Sequence, residues 1–168
     1  MTNIVKISRN SLVMKQSTEL SELDRKILRV LQLEANLPLD RVADSVGSSR
    51  TAVWNRIKRF EASGLIQRYS VVLDPERAGV PETFYVTIRT SRHDTEWLQK
   101  FSDAVSELPE IIEAHRLAGE NDYMLKVQVP TTRDYDGFYR RLIDRIEIYN
   151  VTSHLSMETL KSNAPLPV

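Results

Sequence analysis

Apolar residues recur at helical spacing along the first part of the chain and change to alternation along the second. Leu23, Ile27, Val30 and Leu31 form a stripe ending near Glu34, which predicts a first helix. Ser21 with Asp24 three residues on marks its start, a capping pair in which Asp stands in for the preferred Glu. A second short helix follows Asn36-Leu-Pro, with Leu39, Val42, Ala43 and Val46 facing inward and Gly47 closing it. Ser48 or Ser49 caps a third helix, which Gly64 stops. The next stretch, LIQRYSVVLD at 65–74, is rich in β-branched and aromatic residues and predicts a strand, broken by Pro75. Three short helices, a tight glycine turn between the second and third, and a following strand describe a winged helix-turn-helix.

The second part reads differently. FYVTIRT predicts a strand, and DTEWLQKFSDAVSELP a helix with Trp97, Phe101, Ala104 and Leu108 on one face. IIEAHRLAG and DYMLKVQVP predict strands around a turn at Glu120-Asn121. TTRDYDGFYRRLIDRIE predicts a helix carrying Tyr135, Phe138, Leu142, Ile143 and Ile146, and IYNVTSHLSMETL a last strand. The order βαββαβ is that of a ferredoxin-like split βαβ sandwich. Phe84, Val86 and Ile88, with Leu125, Val127 and Val129, supply alternating apolar positions for the helices or for a partner. The fold class is therefore α+β. We place a polar tail at residues 1–17, a winged helix-turn-helix at 18–73, a hinge at 74–81, a ferredoxin-like domain at 82–160 and a C-terminal tail at 161–168. Met14 is a second candidate for the natural start.

With 168 residues the chain has room for two small domains. No run of about 18 apolar residues is present, so no membrane partner is expected. The opening MTNIVKISRNSLVMKQSTEL lacks the apolar core and cleavage site of a secretory signal. Cysteine is absent, which excludes disulfides, thiolate catalysis and cysteine-based zinc sites. The expected location is cytoplasmic and nucleoid-associated. The net charge of zero hides an asymmetry. Thr18–Leu73 carries 9 basic against 7 acidic residues, whereas Asp74–Leu160 carries 10 against 16. Only the front half would welcome a polyanion.

The third helix sharpens that expectation. At about 100° per residue, Val53, Ile57 and Phe60 share the core face. The opposite face carries Thr51, Asn55, Lys58 and Ala62, flanked by Trp54 and Arg59, with Ser49 and Arg50 at the start. A helix in a major groove needs such a surface: cations for phosphate at the rim, small hydrogen-bonding groups in the middle. A basic face alone is more often a solvated one; its place as the third helix of this pattern reverses that and points to double-stranded DNA. The DNA-contact candidates are Ser49, Arg50, Thr51, Trp54, Asn55, Lys58 and Arg59. Arg56 points to the core edge and is expected to pair with Asp24. Trp54 is expected to lean on its own domain, because a major groove offers no free base face.

Catalytic motifs are missing. His93, His115 and His154 lie on three elements without ligand spacing, so neither metal nor cofactor is expected. No G-x-S-x-G elbow, Walker loop or dinucleotide fingerprint occurs. Asp134/Asp136 and Glu120/Asp122 read as solvated turn residues. The chain is not expected to be an enzyme.

Taken together, LSELDRKILRVLQ at 20–32, RVADSVGSSRTAVWNRIKRFEASGLIQRYSVVLDPERAG at 41–79 and AGENDYMLKVQVP at 118–130 resemble the Lrp/AsnC (feast/famine) transcriptional regulators. The resemblance spans nearly everything from Leu20 to Leu160. It implies a sequence-specific DNA-binding regulator of amino-acid metabolism genes, with a reader joined to an amino-acid-sensing and oligomerisation domain. It also implies a homodimer formed through the sheets, assembly to an octamer, and a small amino-acid effector held where dimers meet. The family's glycine-acid turn matches Gly119, Glu120, Asn121 and Asp122, and its last-strand polar residues match Thr152, Ser153 and Ser156. Backbone N–H groups and hydroxyls suit an α-carboxylate, and an acid suits an α-ammonium; a tight turn with exposed acids accounts equally well for the first four. The third helix often opens with prolines in this family, whereas Arg50 and Ala52 stand there here. Two alternatives share the fold: an Lrp-like tetrapyrrole decarboxylase subunit, with His115 as the haem-pathway ligand, and an amino-acid-sensing module that does not bind DNA.

Overall fold

The computed structural model describes residues 19–168; the polar tail read at residues 1–17, with Met14, lies outside the described residues. The chain divides into two compact units. One gathers Leu73–Leu160, and the other the described residues from Glu19 to Val72 together with Lys161–Val168.

In the second unit α1 spans Glu22–Leu33, α2 Leu39–Val46 and α3 Arg50–Ala62. The capping box at α1 is present: Asp24 N–H donates to Ser21 Oγ at 3.2 Å, and Ser21 N–H to Asp24 Oδ2 at 3.0 Å. Gly47 ends α2 with φ 67°, a left-handed conformation that glycine adopts without Cβ strain. Ile27, Leu28, Val42, Ala43, Val46, Val53 and Phe60 are buried between the helices. Leu28 widens the stripe read from the sequence.

The tail at 161–168 is part of this unit. Leu166 N–H donates to Gln32 Oε1 at 2.6 Å, Gln32 Nε2 donates to the Leu166 carbonyl at 3.3 Å, and Arg29 Nε donates to the Val168 carbonyl at 2.9 Å. Val168 packs against the same core. By contrast, the strand expected at 65–74 is not formed. Val71, Val72 and Leu73 are exposed and the segment pairs with no strand among the described residues, and β propensity without a hydrogen-bonding partner does not make a sheet.

The other unit runs β1 Glu82–Arg89, α4 Thr95–Glu107, β2 Ile111–Arg116, β3 Tyr123–Val129, α5 Thr132–Arg145 and β4 Asn150–Leu155. The sheet order is β2-β3-β1-β4, every pair antiparallel. Phe84 lies opposite Val127 and Val86 opposite Leu125, so the apolar positions of both central strands share one face. They pack with Trp97, Phe101, Phe138 and Leu142 from the helices. Tyr85, Thr87, Met124, Lys126, Thr152 and His154 alternate with them on the other face, half-buried or exposed.

Two expectations are corrected here. β4 stops at Leu155, opposite Phe84, short of the strand read through Leu160; the last bond is Ser156 N–H to the Thr83 carbonyl at 2.9 Å. Ile143 is 42% exposed, since it sits about 100° around α5 from the buried Leu142. No helix among the described residues is long and apolar enough to cross a membrane.

Candidate nucleic-acid interface and effector residues

α3 is positioned by a charged cluster at its rear. Asp24, 4% exposed, receives Arg59 Nη2 on Oδ1 at 2.8 Å and both the backbone and the hydroxyl of Ser21 on Oδ2. Arg56 Nε lies 3.2 Å from the same Oδ1 as an ion pair, without the alignment of a hydrogen bond, while its Nη1 donates to the Ala52 carbonyl at 3.4 Å. Burial disfavours the charge on Asp24, but the Ser21 hydrogen bonds and the two guanidinium groups outweigh it and hold its pKa below the usual carboxylate range. The expected Arg56–Asp24 pair is thus present, and Arg59 joins it.

Val53 and Phe60 turn into the core, which leaves Arg50, Thr51, Trp54, Asn55, Lys58 and Arg59 exposed. Ser49 caps the helix: Ala52 N–H donates to its Oγ at 3.2 Å, so the Ser49 hydroxyl keeps its own proton for donation outward. Trp54 is 49% exposed and does not pack into its own domain as expected. Its neighbour Val53 takes the core, and a step of about 100° carries the indole to the outward face beside Lys58. Among the described residues, no intramolecular hydrogen bond engages the Thr51 hydroxyl or the Asn55 amide. Lys58 Nζ donates to Glu61 Oε2 at 2.7 Å, and Arg50 Nε lies 3.4 Å from Asp40.

The effector candidates fall in two places. Gly119, Glu120, Asn121 and Asp122 form the β2–β3 turn, closed by Leu117 N–H to the Asp122 carbonyl at 2.8 Å. Asp122 fastens this turn to β1: its N–H donates to the Ile88 carbonyl at 2.9 Å, and its Oδ2 accepts from Thr90 N–H at 2.8 Å. Gly119 has φ 153°, and a Cβ there would meet nothing within 4 Å, so the backbone is open to approach. Glu120 is exposed, with Arg89 4.0 Å away. Ser153 faces the helices opposite Val86 and meets the Tyr135 hydroxyl. Ser156 sits beside Thr83, five residues along β1 from Ile88, or about 17 Å at strand rise. Within one protomer the turn and Ser156 are at opposite ends of the sheet.

A cleft of about 380 Å³ opens between α4 and α5, lined by Arg92, Trp97, Lys100, Ile143 and Asp144 among others. It holds none of the effector candidates, and sequence periodicity carries no signal for it. His115 is exposed beside Glu113, at 3.5 Å, with Lys126 on the same carboxylate. Among the described residues no three His, Cys, Asp or Glu side chains gather as metal ligands. Asp134 accepts from Thr131 at the start of α5, and Asp136 pairs with Arg140 at 3.0 Å.

Comparison with known proteins agrees with this geometry. A family model described as "Lrp/AsnC ligand binding domain" matches residues 83–166, and one described as "Winged helix-turn-helix DNA-binding" matches 20–67. The DNA-binding transcriptional activator DecR of Escherichia coli is 39% identical over 150 residues, 89% of this chain and 99% of that protein. An AsnC family transcriptional regulator from Agrobacterium tumefaciens has TM-score 0.84 at 45% identity, covering 88% of this chain and 96% of that one. A feast or famine regulatory protein from M. tuberculosis, complexed with L-methionine, has TM-score 0.77 at 26% identity, covering 85% and 95%.

Proposed function

The chain belongs to the Lrp/AsnC family of transcriptional regulators, and from that premise we propose that it binds specific DNA sites through α3 and answers to a free amino acid. The observation that carries the reading is the outward surface of α3, where Thr51, Trp54, Asn55 and Lys58 stand exposed together. Asn55 suits an adenine edge and Lys58 a phosphate, with Ser49 and Arg50 reaching backbone phosphates at the helix start. The relatives named as regulators favour this over the decarboxylase alternative, and no residue is assigned a catalytic role.

Lys58→Ala weakens binding to all sequences and lowers the salt slope by about 1, whereas Asn55→Ala relaxes discrimination at one base pair by about 1–3 kcal/mol. Fluorescence anisotropy against a set of operator variants at several salt concentrations separates the two. Variants that bind like wild type would remove α3 as the reader.

Assembly follows from the uncovered sheet face. A copy related by a two-fold axis buries Tyr85, Met124 and Lys126 against their equivalents, and dimers assemble further to an octamer. Two readers then address half-sites about 10–10.5 bp apart, or multiples of that. Sedimentation showing a monomer at micromolar concentration would sink this. The effector, an amino acid as in the L-methionine complex, is held between copies by Gly119, Glu120, Asn121 and Asp122 of one and Ser153 and Ser156 of another. That division is motivated by their separation within a protomer. Calorimetric titration with a panel of amino acids tests it: Gly119→Leu abolishes the response and leaves basal DNA binding intact.

A further inference from the structure

Every cation of α3 has an acid partner inside its own unit. Arg56 and Arg59 share Asp24, Arg50 lies 3.4 Å from Asp40, and Lys58 lies 2.7 Å from Glu61. These pairs differ in what they leave for DNA. Asp24 is buried and its second oxygen is filled by Ser21, so the two arginines are held by the fold. Arg50 and Asp40 are each about two-thirds exposed and loosely paired. Lys58 stands on the reading surface, half exposed, yet its ammonium is tied to Glu61. Glu61 is gripped from its other side as well, because the Tyr69 hydroxyl donates to Oε1 at 3.0 Å. The hydrogen bonds from Lys58 and Tyr69 hold its pKa below the usual carboxylate range. Both carboxylate oxygens of Glu61 are thus engaged when a phosphate approaches.

We propose that Glu61 is an electrostatic brake on DNA binding that acts through Lys58. The proposal rests on α3 being the reader and adds how its affinity is set. A phosphate that draws Lys58 toward it competes with Glu61 for the ammonium and weakens the Lys58–Glu61 pair, which leaves an anion stranded next to DNA. That stranded carboxylate draws a cation from solution and so cancels one of the counterions that DNA releases. The brake therefore lowers affinity and flattens the salt dependence together. Because a phosphate contact carries no sequence information, it acts on all duplexes alike and leaves base discrimination to Asn55 and its neighbours.

The test is fluorescence anisotropy of the full chain with a labelled random-sequence duplex at several potassium chloride concentrations. Glu61→Gln is expected to tighten binding about 2- to 5-fold, the range of an exposed ion pair, and to steepen the salt slope by up to about 1. Glu61→Ala, which also releases Tyr69, moves binding in the same direction. In a Lys58→Ala background Glu61→Gln has little effect. Unchanged or weaker binding by both Glu61 variants overturns the brake, as does an equal gain without Lys58, which would mean direct repulsion of phosphate. If Lys58→Ala and Asn55→Ala both bind as wild type, the reading of α3 fails, and the brake fails with it.

Discussion

Asp24 is buried in the unit of α1, α2 and α3, a charge answered by two arginines. In the unit built on the sheet, the buried side chains other than Thr90 are aliphatic and aromatic, with Trp97 stacked on Phe101 and Tyr123 tilted against both. Three short helices enclose little apolar area, and small units gain less from burial than large ones. The helical unit adds ionic and capping contacts, and through its tail a segment distant in sequence. The sheet unit relies on alternation and size. The difference locates fragility: directional polar contacts fail singly, whereas an apolar layer loses stability in proportion to what is removed.

The largest effect expected from this contrast is at Asp24. Asp24→Ala removes the shared acceptor of Arg59 and of the Ser21 backbone and hydroxyl, costing about 3–5 kcal/mol at about 1.5–3 kcal/mol per hydrogen bond to a charged group. Urea unfolding followed at Trp54, on α3, shows the loss, and Trp97 in the sheet unit reports little change. Leu142→Ala reverses the pattern: the side chain is fully buried against the sheet, and its removal costs about 2–5 kcal/mol on the Trp97 signal alone. Equal shifts of both signals by either variant would show that the units unfold as one.

Acid acts on the Asp24 cluster of the helical unit through charge rather than through a cavity. The folded pKa of Asp24 is depressed. Its stabilisation is therefore present above the unfolded carboxylate value, near pH 4, and is lost as the pH falls through the lower folded value. The helical unit is expected to lose stability in that window, and Asp24→Asn to show a smaller change there. An identical acid profile for the two proteins would contradict the charged cluster. The smallest effect belongs to the tail. Gln32→Ala removes two hydrogen bonds to Leu166 and costs about 1 kcal/mol or less, measured on the helical unit. A chain stopped after Lys161 loses slightly more, because Val168 leaves the core as well.

Much of this was legible along the chain. The capping pair at Ser21 and Asp24, the turn at Gly47 and the alternation of β1 and β3 all follow from residues within a few positions of one another, and the core-edge direction of Arg56 on α3 pointed it to an acid of α1. The outward surface of α3 was legible from its helical angles, except for Trp54, which the lack of a free base face in a major groove assigned to its own domain and which its angle on the helix turns outward. The strand expected at 65–74 failed because a strand is a property of two segments, and propensity describes one.

By itself, the sequence determined which faces are inside, because burial follows local periods of 3.6 and 2 that any short window displays. It determined the order of elements and, through that order, the two-unit fold. Beyond the Arg56–Asp24 pair, only the tertiary structure decided the distant polar partners. Arg59 reaches an acid 35 residues away, and Gln32 a backbone 134 residues away, and neither leaves a pattern in a window. Only the structure set Ser156 at the far end of the sheet from the Gly119 turn, since register and strand order are fixed by the packing of distant segments rather than by the residues of either one.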